Sequence, residues 1–423
     1  MSSKKNVLAI AIMFALFFMI AFVTGIQNPL GVIVKSHFEL SNFQSQWGTL
    51  ANFLAYLCMG IPSGMMLQKI GYKKTALAAV AVGFTGVLIS FLSGIADNFY
   101  VYLLGAFISG FSMCMLNTVV NPMLNTLGGG GNRGNQLIQF GGSINSIAAT
   151  LAPILGGYLI GNLAGAQISN ANPVFYLAMG IFAVAFIVLA LSKIPEPYVI
   201  KEKSDKAKDK HSAMSFRHFK LGIIAIFIYV GVEVGIPNIM NLFMTDTVNG
   251  VGIDPTIAGT VVGTYWLLML VGRLVGGVLG GKISSRAMLS TVAAVGILFI
   301  CLAIFLPSGN IVKMPVFRSD LSFGFAQVPV NCLFLVLCGL CTSVMWGGIF
   351  NLAVEGLGKY TSAASGIFMM MVCGGGILPA IQGALADSIG FLNSYWLLVA
   401  GLLFILFFAV KGSKNVNTDI VTE

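Results

Sequence analysis

The chain has 423 residues, of which 57% are hydrophobic and only 9% charged, with a formal net charge of +9. Soluble domains carry roughly a quarter charged residues; a water-soluble fold of this size could not hide so much apolar surface, and a disordered chain would not contain it. Twelve of the charges crowd between positions 193 and 220, so composition points to a polytopic membrane protein with one polar linker.

A membrane helix needs about 20 mostly apolar residues. Six such stretches precede the linker, at 8–34, 44–68, 75–94, 99–124, 137–161 and 173–193, and six follow it, at 218–246, 257–281, 287–307, 329–354, 361–386 and 390–411. None shows the ten-residue alternation of a membrane β-barrel. The predicted fold is all-α and integral to the membrane, with a six-helix bundle over 1–193, a linker over 194–217 and a second bundle over 218–423. The first apolar run is too long for a signal-peptide core and no small-residue cleavage site follows it, so it is expected to stay as a helix. Lys and Arg resist translocation. With both termini cytoplasmic, 20 of the 23 basic residues fall inside, and only Lys35, Lys313 and Arg318 lie outside. The positive charge is therefore a topology signal rather than a nucleic-acid surface. The stretch from Lys201 to Lys210 alternates with acids, as a solvated linker does.

Polar residues inside apolar spans are costly and so are the informative ones. The first span carries Thr24, Gln27 and Asn28, and the second Asn52 and Tyr56. A glycine-studded basic turn follows, Gly64-Met-Met-Leu-Gln68-Lys69-Ile-Gly71-Tyr-Lys73-Lys74. In the fourth span Asn117, Asn121 and Asn125 share a face at i, i+4 spacing, and Pro122 interrupts the backbone hydrogen bonding there. Asn125, near the span's end, is expected to cap or turn. Gly128-Gly-Gly-Gly131 lacks the Lys-Ser/Thr of a phosphate loop and reads as a flexible turn. Asn145 projects from the fifth span. Beyond the linker, Glu233 is the one acid near the centre of a span. Asn241 lies eight residues on, within about 80° of it at 100° per residue, whereas Asn238 is about 140° away; Asn241 is preferred as a lining residue. The eighth span offers Tyr265 and Trp266 and ends in Gly272-Arg273-Leu-Val-Gly276-Gly277, followed by Lys282 and Arg286, which matches the turn of the first half. That turn also accounts for Arg273. The tenth span offers Trp346, beside Gly347 and Gly348, and Asn351. The segment 308–328 is long for an outside connection, and either covers the entrance or joins two helices. His37, His211 and His218 sit at loops or helix ends, and Cys338-Gly-Leu-Cys341 has no completing ligand. No metal or cofactor site is expected, and no catalytic group either.

Two six-helix halves with matching turns suggest a parallel repeat whose halves rock around a central site, the pattern of the major facilitator superfamily. Within it the chain resembles the fucose–galactose–glucose:proton symporter family almost end to end. The resemblance rests on Leu40-Ser-Asn-Phe-Gln44, Asn117-Thr-Val-Val-Asn121-Pro122, Asn145-Ser146 with Ala152-Pro153-Ile-Leu-Gly156-Gly157, Tyr229-Val-Gly-Val-Glu233, Gly272-Arg273, Gly356-Leu-Gly358-Lys359 and Gln382-Gly383-Ala-Leu-Ala-Asp387. It implies uptake of a small neutral sugar across a bacterial inner membrane by alternating access, with the protein acting as a monomer. Gln27, Asn28, Asn52, Asn117, Asn121, Asn145, Asn241, Tyr265, Trp346 and Asn351 become the candidates to bind sugar. The pattern is broken where it matters for coupling: the family's acids in the first and fourth spans fall at Asn28 and Asn117, and its fifth-span glutamine at Gly142. An amide binds a hydroxyl but exchanges no proton near neutral pH. Glu233 then takes the coupling role with a proton, or sodium replaces the proton, or the protein is a uniporter. An anionic cargo would want a basic residue in the cavity, and none is expected there. An exporter of apolar drugs fits poorly with the amide faces. A sugar sensor without transport would want a signalling domain, and an intramembrane enzyme a nucleophile–base pair.

Overall fold

The protein is described by a computed structural model over residues 3–127, 131–160, 167–194, 211–279, 283–318, 322–357, 360–417 and 420. Among the described residues, twelve helices long and apolar enough to cross a membrane match the twelve predicted spans. They are α1 (Val7–His37), α2 (Trp47–Leu67), α3 (Lys69–Ala96), α4 (Phe99–Asn121), α5 (Phe140–Ile160), α6 (Ile168–Leu191), α7 (Arg217–Thr245), α8 (Pro255–Gly276), α9 (Ser285–Phe305), α10 (Val330–Val354), α11 (Gly366–Ile389) and α12 (Phe391–Gly412). The chain is a multi-pass membrane protein of two six-helix bundles. An even number of spans puts both termini on one face, here called the terminal face; the opposite one is the far face.

The basic turn between α2 and α3 has a structural task. Gly71 takes φ 85° and ψ 174°, a conformation a side chain resists, so the chain reverses without a loop. Lys73 Nζ then donates to the carbonyls of Ala190 at 2.8 Å and Ser192 at 2.7 Å, where α6 would otherwise end in unpaired acceptors. The halves meet along α5–α8 and α2–α11, and both seams use glycine to bring backbones close. A Cβ at Gly263 would stand 2.6 Å from Ile154 and 3.0 Å from the Thr150 carbonyl. One at Gly376 would stand 2.8 Å from the Leu50 backbone.

The connection between α9 and α10 adds β-structure that the reading of an all-helical chain missed. Ile311–Phe317 (β1) and Phe323–Pro329 (β2) pair antiparallel, with Ile311 opposite Pro329 and Phe317 opposite Phe323. Met314, Val316, Ala326 and Val328 point inward, while Ile311, Phe323 and Phe325 point out. This two-residue period is the signature of a half-buried hairpin, but it is too short to register against long helical runs. Phe317 N donates to Thr264 Oγ1 at 3.1 Å, so the hairpin lies along α8.

Candidate functional site

Pro237 lies in the middle of α7 and has no N–H to give the carbonyl four residues back. That carbonyl belongs to Glu233, and Tyr265 of α8 replaces the missing donor: its hydroxyl donates to Glu233 O at 3.1 Å and lies 3.1 Å from Thr342 Oγ1 of α10. Three helices are thereby fixed around one acidic residue. The Glu233 carboxylate, 13% exposed, stands 3.5 Å from Arg273 Nη2. Arg273 Nη1 reaches across to the first half, donating to the Gly142 carbonyl at 2.8 Å and Ser146 Oγ at 2.7 Å. Intramembrane charges pair with one another or with carbonyls, and this guanidinium does both. A Cβ at Gly142 would meet only Arg273 Nη1, at 3.9 Å, so the position where the family pattern expects a glutamine is filled here by an arginine from the other half. Reading Arg273 as part of the turn alone therefore needs correction, and so does the expectation of an interior without a base: a long stem carries its charge inward from a backbone near the helix end, where the Glu233 carboxylate offsets it.

One turn from Glu233, Tyr229 packs edge-on against Trp346 with ring centres 6.2 Å apart, and Trp346 packs against Phe368 at 5.6 Å. The aromatic wall thus adjoins the carboxylate. The first-half amides share one habit. Asn117 Nδ2 donates to Tyr56 Oη and to Met113 O, both at 3.1 Å. Asn121 Nδ2 donates to Asn117 O at 2.9 Å, and Asn145 Nδ2 to Phe17 O at 3.1 Å. In each case the protein holds the nitrogen, and the oxygen makes no hydrogen bond among the described residues. Tyr56 stacks on Phe53 at 5.8 Å, and Phe53 packs against Gly375 of α11.

The other candidates are placed differently. Asn52 is 1% exposed and ties α2 to α4 through Ala106 O at 3.2 Å, as interhelical glue would. Asn351 is exposed near the terminal-face end of α10. Tyr265 is fully buried and holds backbone. Asn241 is buried and lines a small cleft nearer the far face, together with Asn238 and Gln46. The side chains of Gln27, Asn28 and Asn125 lie outside the described residues. Sequence reasoning also passed over Gln382, a fully buried amide of α11 with neither polar atom hydrogen-bonded among the described residues; its packing against Gly235 leaves no trace in local sequence.

The far face is latched. Lys35 at the end of α1 pairs with Asp246 after α7 at 2.8 Å, and donates to Asn42 Oδ1 at 2.7 Å. The short helix Asn42–Ser45 gives its first two N–H groups to Asp387 of α11, Asn42 N at 3.0 Å and Phe43 N at 2.9 Å. Asn238 Nδ2 donates to Gln46 Oε1 at 3.1 Å. Burial alone would push the Asp246 carboxyl up, but the Lys35 ammonium and the N–H groups of Asn249 and Val248 hold it below its ordinary value.

Residues 13–378 match the family described as Major Facilitator Superfamily. A glucose/galactose transporter of Brucella abortus is 30% identical over 424 residues, covering 98% of this chain and 96% of that protein. The L-fucose-proton symporter of Escherichia coli is 22% identical over 99% of this chain and 95% of its own length. Among solved structures, the transporter FucP in its outward conformation superposes with a TM-score of 0.68 at 19% identity, covering 96% of this chain and 98% of that one.

Proposed function

The chain belongs to the Major Facilitator Superfamily, and from that we propose that it is a secondary transporter taking up a small neutral sugar across a bacterial inner membrane. Both termini are cytoplasmic on this reading, so the latched far face is the outside and the described state is closed to it. The observation that carries the proposal is the interior constellation around Glu233. A carboxylate paired with an arginine that spans the two halves adjoins an aromatic pair, and the first half adds amides whose oxygens make no hydrogen bond among the described residues. A hydroxyl-rich solute supplies donors to those oxygens and C–H faces to Trp346, the mixture that small-molecule sites use. The glucose/galactose and fucose cargoes named for the relatives fall in that class.

Glu233 is the coupling group, with the proton as the expected ion. Taking up a proton removes its negative charge and so weakens its hold on Arg273, which is the tether to Gly142 and Ser146. A local protonation then bears on how the halves are joined.

The experiment is uptake of radiolabelled hexoses and deoxyhexoses into proteoliposomes, with proton and sodium gradients imposed separately. Glu233→Gln is expected to abolish uphill accumulation while retaining exchange of sugar for sugar. Full gradient-driven accumulation by that variant would remove Glu233 from coupling. Accumulation driven by sodium alone would make the protein a sodium symporter, and equilibration without accumulation a uniporter. Binding without counterflow would make it a sensor.

A further inference from the structure

The hairpin β1–β2 packs against α8 and α10, and backbone contacts fix its depth. At its base Pro329 passes directly into α10, where Val330 N donates to the Asn310 carbonyl at 2.8 Å. At its tip Phe317 N donates to Thr264 Oγ1 at 3.1 Å. The next residue of α8, Tyr265, places its carbonyl where a Cβ on Gly339 of α10 would stand. Gly339 lies nine residues beyond Val330, about 13 Å along the helix. The hairpin therefore does not stand above the far face and covers no entrance there. It runs down along two membrane helices.

The seam between α5 and α8 relates this depth to the bilayer. Gly263 faces Ile154, and the exposed Tyr158 is one turn nearer the far face on α5. Exposed Tyr and Trp at span ends mark the membrane interface, and Tyr100 on α4 and Trp396 on α12 stand at the same end of their helices. Because α5 and α8 run in opposite directions, Tyr158 is level with Gly259, and Thr264 is about 7 Å deeper. Thr260, Thr264, Val271 and Val275 lie within about 60° on α8. The two threonines, at the hairpin's level, are buried; the two valines, deeper in the span, are exposed. In a multi-pass membrane protein such exposed valines meet acyl chains. The hairpin thus takes over a strip that lipid covers further down, and its outer face continues the lipid-facing surface.

That outer face is graded along its length. Phe323 and Phe325, 74% and 68% exposed, are at the tip and two residues from it. Lys313 and its cross-strand partner Gln327, both exposed, are nearer the base. Four residues of strand separate Lys313 from Phe317, up to about 13 Å, which returns the lysine to or above the level of Tyr158. Lys313 makes no ion pair among the described residues.

We propose that the hairpin is an interfacial anchor whose partner is the phospholipid leaflet at the far face. Phe323 and Phe325 insert among the upper parts of the acyl chains, about 5–10 Å into the boundary layer, and Lys313 stays at the level of the lipid phosphates, whose charge complements its own. This depth suits a two-stranded element with open edges, because the bilayer core would leave the edge N–H and C=O groups unsatisfied. The anchoring concerns the bilayer and not the cargo, so it stands or falls apart from the transport reading, and for either sidedness.

The test uses the full-length protein in liposomes of phosphatidylcholine and phosphatidylglycerol. Nitroxide labels are attached at Phe323→Cys, Phe325→Cys and Lys313→Cys, each in a chain otherwise free of cysteine, and their collisions with oxygen and with a water-soluble nickel chelate are compared. The oxygen-to-nickel ratio is expected to be several-fold higher at 323 and 325 than at 313. Equal ratios at all three would overturn the proposal by placing the hairpin in water. Protection of 323 and 325 from both reagents would also overturn it, by placing protein, such as a second copy of the chain, on this face. Phe323→Trp in a chain that keeps its cysteines gives a reading independent of the cysteine-free background. The fluorescence it adds over the parent is expected to be quenched by lipid brominated near the upper end of its acyl chains and spared by aqueous iodide; the reverse would overturn the proposal.

Discussion

Glu233 depends on neighbours for both its backbone and its side chain, and the two dependences can be separated. Tyr265→Phe removes only the hydroxyl that serves the Glu233 carbonyl. An orphaned buried carbonyl costs about 1–3 kcal/mol, so a lower thermal midpoint is expected with coupling intact; an unchanged midpoint would show that the bond is dispensable. Arg273→Lys acts on the side chain. A lysine keeps the charge but cannot fork between Glu233 on one side and Gly142 with Ser146 on the other. Gradient-driven uptake is expected to fall roughly tenfold or more, with sugar exchange much less affected. An equal loss in both assays would mean that Arg273 merely supports the fold. Glu233 was legible as a candidate because an acid deep in an apolar run stands out in any window. The inward reach of Arg273 was not, because spacing locates a Cα and says nothing of where a flexible stem places its charge.

At the scale of elements, the latch links the end of α1, the short helix Asn42–Ser45, the end of α7 and the end of α11. Asp387→Asn weakens two charge-assisted bonds to backbone N–H groups, and Asp246→Asn breaks the pair with Lys35. Each is expected to speed modification of a cysteine placed at Leu242, in a background free of other cysteines, by roughly tenfold. Rates unchanged from the parent would show that the helix seams alone hold this face shut. The pH dependence follows from Asp246. Its carboxyl is held below its ordinary value of 3.8 in the closed form, so the pair contributes fully above that value and is lost as pH falls through the lowered one. Closure is therefore expected to be constant between pH 8 and 5 as judged by the same labelling; loosening within that range would have to come from another group. The hairpin β1–β2 is a second such element. Thr264, which it covers, lies on the same stripe of α8 as the exposed Val271 and Val275, so the outward Phe323 and Phe325 continue an apolar side of the helix bundle.

For the molecule as a whole, sidedness decides which state is described. If the termini are cytoplasmic, Lys313 on the exposed side of the hairpin reacts with a membrane-impermeant amine reagent in intact cells, while the linker lysines react only after the membrane is opened. The reverse pattern would turn the far face inward and make the described state closed to the cytoplasm. The sequence by itself determined the number of spans, their approximate limits, the division into halves and the standing of Glu233 as the central acid. These follow from hydropathy, charge and glycine placement, which are local quantities that accumulate along the chain. Only the tertiary structure decided that Arg273 faces Glu233 and bridges the halves, that Tyr265 repairs the gap left by Pro237, that Asn52 Nδ2 ties α2 to α4, and that Asn238 joins Gln46 in a closed cleft. Each of those is a pairing between distant segments within a few ångströms, set by how the bundles lean together and how far side chains reach, and no window along the sequence contains both partners.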